Sequence, residues 1–418
     1  MSIALIPSTT SWNNYINLSK LLIKKNQKVI FLITNNHVKK LKKNIPKQIT
    51  VIEIIEPNKE LLLEIKNQRI YIYILYFILF LKNYLKSLIF IKLLSIKKII
   101  TVGDRENGTV LSILKNAKKN NVKVFIYHAG GISGKNMLVI SRKMHECFDV
   151  TLNKWFIGRY KNQCNQYKNK KIYSFYHPIL TKIFDRLNIL PKNPWVMGSG
   201  NSDVILVESN FVKKLYKKSN LKKKLLVIGS NQVDNINKSF KFNNSLLTNK
   251  KNLKTKSINI GFMPNIWFEH NLLSKYNAMK RNSLLCKILK DSVIKKNVNI
   301  LVFLHPKQKI KNYLWIEKKY KFKLINENIS HYMSYLDCLY IGFSSTIIYW
   351  ASDLNIRVII ANIFPEKNEV FKKFKNVNYL NSITKIKSNL KTLKKNKKKT
   401  NIYKNINFKK NVFSLFME

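Results

Sequence analysis

Short apolar runs that stop abruptly at a glycine, a proline or a polar residue recur along most of this chain. "SIALIP", "QKVIFLIT", "VIEII", "KKIITVG", "VKVFIY" and "SDVILV" lie in the first half, and "INIGFM", "VNILVFL", "CLYIGF" and "IRVIIAN" in the second. Each is five to eight residues long and rich in Ile and Val. That is the pattern of strands buried on both faces. Between them lie segments of helical period, such as "SWNNYINLSKLLIKK", where Tyr15, Leu18 and Leu22 share one face. Strand, helix and strand in alternation imply βαβ units and a parallel sheet.

With 418 residues the chain is too long for one ordinary domain. Ile236 to Lys256 is polar and lacks apolar periodicity, which marks a linker. We therefore expect a Rossmann-like domain over 1–235, a linker over 236–256 and a second Rossmann-like domain over 257–385. A Lys-rich tail over 386–418, helical or loose, completes the chain. The expected fold class is α/β, with two doubly wound domains facing a cleft. In such sheets ligands bind at the carboxyl ends of the strands.

The formal net charge is +56, yet 45% of residues are hydrophobic, which excludes a disordered basic tail. Lys, Asn and Ile are abundant everywhere, loops included, so AT-rich codon usage accounts for most of the charge. Such a surface still attracts anionic membranes and phosphate-bearing ligands. The basic clusters at 213–224 and 391–399 contain one aromatic residue, Tyr216. Nucleic-acid binding calls for aromatics interleaved with the charge, so no specific nucleic-acid partner is expected. Cys147, Cys164, Cys286 and Cys338 form no CxxC pair, and we read them as reduced thiols of a cytoplasmic protein without a metal site. The N-terminus lacks a basic leader, so no signal peptide is expected. The most apolar segment is Ile70 to Leu94, with an uncharged core of 12 residues, Ile70 to Leu81. A bilayer span takes roughly 18 to 20. A buried helix and a helix lying on a membrane surface, with Lys82 and Lys86 as a cationic stripe, are the two main readings, and a true span is the third.

Two strand ends carry the clearest chemistry. "ILVFLHPKQKI" ends an apolar run on His305-Pro306. Proline holds the preceding residue extended, so His305 sits fixed at a strand end beside Lys307. Its imidazole can bond a phosphate or simply be satisfied within the fold. "LYIGFSSTIIYWA" ends a run on Ser344, Ser345 and Thr346, which open a helix. Unpaired N–H groups and hydroxyls there suit an anion, although Ser and Thr are also ordinary caps. A second His-Pro, His177-Pro178, shows that the dipeptide alone means little.

In the first half, "YHAGGISG" places His128 before Gly130 and Gly131, at a turn where backbone can approach a ligand. "TVGDREN" supplies Asp104 and Glu106, two acids in an acid-poor chain. His128 or Asp104 could act as a base. Pairing with lysine is the plainer role for the acids.

Taken together, HP and SST some 40 residues apart resemble the GT-B glycosyltransferases and the nucleotide-dependent transferases of bacterial capsule, lipopolysaccharide and teichoic-acid synthesis. Sialyltransferases, capsule Kdo transferases and CDP-glycerol glycerophosphotransferases are among them. The resemblance implies that His305, Pro306, Lys307, Ser344, Ser345 and Thr346 hold the phosphate and ribose of a CMP-, CDP- or UDP-linked donor. It implies His128 as catalytic base, with Asp104 the alternative that the residues themselves offer, Gly130 and Gly131 in the acceptor-side loop, and no metal or cofactor. The acceptor would be a glycan or lipid-linked molecule at the inner face of the cell membrane, with peripheral contact to anionic lipid. The chain departs from the family at Trp350, where an acid is usual, and at Asn355-Ile356-Arg357 in place of Gly-Lys-Pro. "HAGGISG" is also loosely similar to the turn of UDP-N-acetylglucosamine 2-epimerases, the alternative activity. A basic nucleic-acid-binding protein is the other alternative.

Overall fold

The structure, a computed structural model, describes residues 2–7, 12–34, 45–54, 70–105, 108–127, 147–166, 171–217, 223–241, 257–269, 273–294, 297–342, 345, 347–364, 374, 376–396 and 399–416. It divides into two compact units, Met1–Asn231 with Asn407–Glu418, and Gln232–Ile406.

The strands of the first unit are β1 (Ser2–Ile6), β2 (Lys28–Thr34), β3 (Thr50–Ile54), β4 (Ile96–Thr101), β5 (Lys123–Tyr127), β6 (Phe148–Asp149), β7 (Cys164–Gln166), β8 (Ile172–Ser174), β9 (Val204–Val207) and β10 (Lys224–Val227). Its helices are α1 (Trp12–Ile23), α2 (Ile70–Leu93), α3 (Gly108–Lys119), α4 (Lys154–Arg159), α5 (Pro178–Arg186) and α6 (Asn210–Lys217). Seven strands form a parallel sheet in the order β3-β2-β1-β4-β5-β9-β10. The order grows outward in both directions from β1 and β4, the mark of a doubly wound sheet. Phe31, Phe125 and Tyr127 fill one face of its core, with Ile30, Ile99 and Val124 on the other.

The second unit opens with α7 (Asn231–Lys241) and carries β11 (Ile258–Met263), β12 (Val298–Phe303), β13 (Lys323–Ile325), β14 (Cys338–Ile341), β15 (Arg357–Ala361) and β16 (Val377–Leu380). They form a parallel sheet, β13-β12-β11-β14-β15-β16. Helices α8 (Lys275–Val293), α9 (Leu314–Tyr320), α10 (Ile347–Asp353) and α11 (Ile383–Lys391) accompany it. The expected pair of doubly wound α/β units is therefore present.

Four helices leave through the same cap. Asn26, Asn121, Asn188 and Asn355 have φ between 54° and 59°. In each case the next N–H bonds five residues back, as in Gln27 to Leu22, Val122 to Ala117, Ile189 to Phe184 and Ile356 to Ala351. This is the Schellman arrangement, where glycine is the usual left-handed residue and asparagine the next best. With only 11 glycines in the chain, asparagine does that work. The Asn355 departure is thereby explained, because it supplies the left-handed turn without a glycine.

Three expectations need correction. The segment 386–418 is not a tail. Ile386 and Leu390 of α11 are buried in the second core, while Phe408, Val412 and Phe416 of α12 (Phe408–Phe416) are buried in the first. The lysines between them are held by Asp337, fully buried, which pairs with Lys399 at 3.2 Å and Lys395 at 3.7 Å and accepts the Asn396 N–H at 3.1 Å. The linker begins later than expected, since 236–241 completes α7, with Val233 and Ile236 buried. Residues 242–256 lie outside the described residues. A small antiparallel sheet, β6-β8-β7, was not foreseen; two- and three-residue strands of mixed polarity carry no period to read. The four cysteines are free thiols, and Cys286 and Cys338 are buried.

Candidate functional site

The carboxyl edge of the second sheet assembles the candidate site. The strand order reverses between β11 and β14, the place where doubly wound sheets bind their ligands. His305 follows β12 and Ser345 follows β14, with β11 between them. Two inter-strand steps put these ends about 10 Å apart. His305 and Ser345 thus flank the switch point. Ser344 and Thr346 lie outside the described residues.

His305 is half-buried, and Pro306 and Lys307 are exposed. The Lys307 N–H donates to His305 Nδ1 at 3.2 Å. In a neutral ring the proton then sits on Nε2. The same local bond occurs at His177, whose Nδ1 accepts the Ile179 N–H at 3.3 Å and caps α5. The dipeptide therefore favours this turn wherever it occurs, and only its position at a strand end sets His305 apart. Ser345 Oγ accepts the Ile347 N–H at 3.4 Å, so it caps α10. Trp350 is buried in α10, and the nearest acid along the chain, Asp353, accepts the Tyr403 hydroxyl at 2.7 Å.

The residues missed in the sequence lie after β11. Asn265 is buried. Asn282 of α8 accepts its N–H at 2.9 Å and donates to its carbonyl at 3.1 Å. Gln308 Nε2 lies 3.3 Å from the same carbonyl. The backbone is satisfied, but the Asn265 side-chain Nδ2 is buried without a partner. Trp267 Nε1 and Glu269 Oε2 are also buried without partners. Three unsatisfied polar atoms within five residues depart from the rule that buried polar groups are paired, and a ligand is one explanation for them. Glu269 Oε1 accepts the Tyr313 hydroxyl at 2.9 Å, which in turn accepts from Gln308 Nε2 at 2.7 Å. Burial, followed by the charge of Glu269, pushes the Tyr313 hydroxyl far above its ordinary pKa, so it remains protonated. Arg281 lies over the Trp267 and Phe364 rings, 5.1 and 5.0 Å from their centroids. The available signal was the one that flagged His305, a polar residue directly after an apolar strand, here "GFMPN".

The first unit answers differently. Asp104 follows β4 and is fully buried. Its carboxylate accepts the Gly198 N–H at 2.9 Å, the Gly200 N–H at 2.9 Å, the Ser202 N–H at 3.4 Å and the Ser202 hydroxyl at 2.7 Å. Arg105 donates to the carbonyls of Pro194 and Trp195 at 3.3 and 3.1 Å. Both oxygens of this carboxylate are engaged by donors of its own fold and neither is exposed to an incoming hydroxyl. The expectation of Asp104 as base is therefore corrected: it anchors the segment 198–202. Glu208, at the end of β9, is likewise fully buried and accepts the Ser230 hydroxyl at 3.3 Å. His128, Gly130, Gly131 and Glu106 lie outside the described residues. Among the described residues no group of three His, Cys, Asp or Glu could hold a metal.

No family model matches the chain, and no curated protein matches it. Solved structures do. MurG of Acinetobacter baumannii is 9% identical, with 100% of this chain and 99% of that one covered and a TM-score of 0.50. The UDP-GlcNAc 2-epimerase of Methanocaldococcus jannaschii, solved with UDP-GlcNAc and UDP, is 12% identical, with 100% and 99% covered and a TM-score of 0.49. CalG4, the calicheamicin glycosyltransferase, is 6% identical, with 99% and 94% covered and a TM-score of 0.46. At such identities the likeness is one of fold. The chain has the GT-B fold.

Proposed function

We propose that the chain is a metal-independent, inverting transferase that moves a sugar from a nucleotide-activated donor to a cell-surface polysaccharide or lipid-linked acceptor. Glycerol phosphate is the other group that a CMP- or CDP-type donor could carry. The observation that carries the reading is the cluster of unsatisfied buried polar atoms on Asn265, Trp267 and Glu269 at the strand-order reversal, next to the His305 turn. The nucleotides and nucleotide sugar bound by the epimerase of the same fold are consistent with it.

In this reading the acceptor hydroxyl oxygen attacks the anomeric carbon. The bond from that carbon to the donor phosphate oxygen breaks, and the nucleotide leaves with the electron pair. His305 Nε2–H and the Lys307 ammonium meet the charge that develops on the phosphate. Asn265 Nδ2 supplies a further donor. With Asp104 committed to the fold, the acceptor proton falls to His128. The enzyme would work in the cytoplasm at the inner face of the cell membrane.

The test is a thermal-shift panel of CMP, CDP, UDP and GDP on wild type, His305→Ala and Asn265→Ala. Ligand at 100 times its Kd stabilises by about 2.7 kcal/mol. One nucleotide should raise the wild-type melting temperature, and both variants should lose that shift. If none does, the transferase reading fails. Epimerised sugar nucleotide formed without acceptor would mean the 2-epimerase activity instead.

A further inference from the structure

Helix α2 is apolar on its outward face as well as its inward one. Its inward stripe includes Asn83 and Ser87, both buried, beside Tyr76, Phe80, Phe90 and Ile91. Asn83 Nδ2 donates to Thr109 Oγ1 of α3 at 3.2 Å, and Asn116 Nδ2 of α3 donates to Ser87 Oγ at 2.5 Å. The outward stripe is Ile74, Ile78, Leu81, Leu85, Ile89 and Leu93, spaced three or four residues apart and 43 to 77% exposed. A helix on a water-facing surface carries polar and charged residues on its outward face instead. An apolar stripe of this length is larger than the scattered exposed hydrophobics of ordinary surfaces.

The charge around the stripe selects its occupant. Lys82, Lys86 and Lys92 are exposed on the same helix, and no Asp or Glu occurs from residue 65 to residue 103. A second copy would bring lysines against lysines, within a chain of net charge +56. A surface with apolar tails beneath anionic headgroups complements both features.

We propose that α2 docks the first unit onto an anionic lipid bilayer, lying in the plane of the headgroups with Ile78, Leu85 and Ile89 immersed. By length the helix could cross the bilayer; its 24 residues measure about 36 Å. Crossing would strip Asn83 and Ser87 of their partners on α3 and drag β4, which starts three residues after α2, out of the middle of its sheet. The helix therefore lies on the bilayer. This docking does not depend on which nucleotide the second unit binds.

The test is flotation of the full chain with vesicles of phosphatidylcholine alone and of phosphatidylcholine with one quarter phosphatidylglycerol. Three proteins are compared: wild type, Ile78→Gln/Leu85→Gln/Ile89→Gln, and Lys82→Gln/Lys86→Gln/Lys92→Gln. The first variant keeps every charge, and both change exposed positions, with melting temperature as the folding control. We expect wild type to float with the anionic vesicles and not with the neutral ones. Each variant should lose about tenfold or more in partitioning, since each immersed side chain and each surface lysine contributes on the order of a few-fold. Undiminished binding of the apolar variant would overturn the proposal, because general basicity would then suffice. Equal binding to neutral vesicles would overturn it too, as would a wild-type dimer that the apolar variant turns to monomer without any vesicle binding. Nucleotide-induced thermal shifts of the variants, unchanged from wild type, keep this result separate from the transferase reading.

Discussion

Gln308 Oε1 accepts the backbone N–H of His305 at 2.7 Å, and the Gln308 N–H returns to the His305 carbonyl at 2.7 Å. The Gln308 amide nitrogen lies 3.4 Å from the Pro264 carbonyl and 2.7 Å from the Tyr313 hydroxyl. One buried side chain thus ties the end of β12 to the end of β11. Gln308→Leu keeps the volume and removes these bonds. It should lower stability by about 1–3 kcal/mol in urea denaturation. It should also weaken the nucleotide-induced thermal shift, because His305 and Asn265 lose their common brace. An unchanged melting temperature would show that the brace contributes nothing to stability.

The strands were legible because each is an apolar run with a hard stop, and in a sheet covered on both faces that needs no alternation. The end positions of "VFLHP" and "IGFSS" were legible for the same reason. Asn265 carried the same signal at the end of "GFMPN" and was passed over, while Gln308 was not legible, because its importance comes from contacts across some 40 residues that no local pattern records. Asp104 was misread. Scarcity of acid made it look chemical, while the donors that occupy it arrive 94 to 98 residues later. The orientation of α2 was invisible for a different reason. A nearly all-apolar segment has no period to say which side is in, and only the partners of Asn83 and Ser87 on α3 decide it.

Gly342 marks the tightest point of the switch. A Cβ there would stand 2.5 Å from Asn265 Nδ2 and 2.5 Å from Leu285 Cδ1. Leu285 is fully buried in the second core and cannot give way freely. Gly342→Ala should therefore push Asn265 aside, cost about 1–3 kcal/mol and abolish nucleotide stabilisation. Calorimetry with and without nucleotide separates the two effects.

Asp104→Ala tests the anchoring role against catalysis. Removing a buried carboxylate that serves four donors should cost on the order of 3–5 kcal/mol, read as a lower melting temperature. Asp104→Asn keeps the shape and one acceptor oxygen and should lose less. Below its melting temperature the Asn variant should retain the nucleotide-induced shift. A variant that melts like wild type but has lost turnover would reinstate Asp104 as a base.

His177 makes the stability of the first unit depend on acid. Burial lowers its pKa from 6.5 to about 4. The neutral ring is also the form that can accept the Ile179 N–H and cap α5. Between pH 6.5 and 4 the unfolded chain binds a proton at this site that the folded chain does not. Stability therefore falls as pH drops through that window and is unaffected by this group above it. The full shift corresponds to roughly 2–3 kcal/mol after allowance for partial exposure. His177→Asn retains a capping oxygen and cannot titrate. Urea denaturation of both proteins at pH 7.5 and pH 4.5 should show similar stability at the higher pH. At the lower pH the variant should lose about 2 kcal/mol less than wild type. Parallel losses in the two proteins would mean that His177 is protonated in the folded state and that its cap survives protonation.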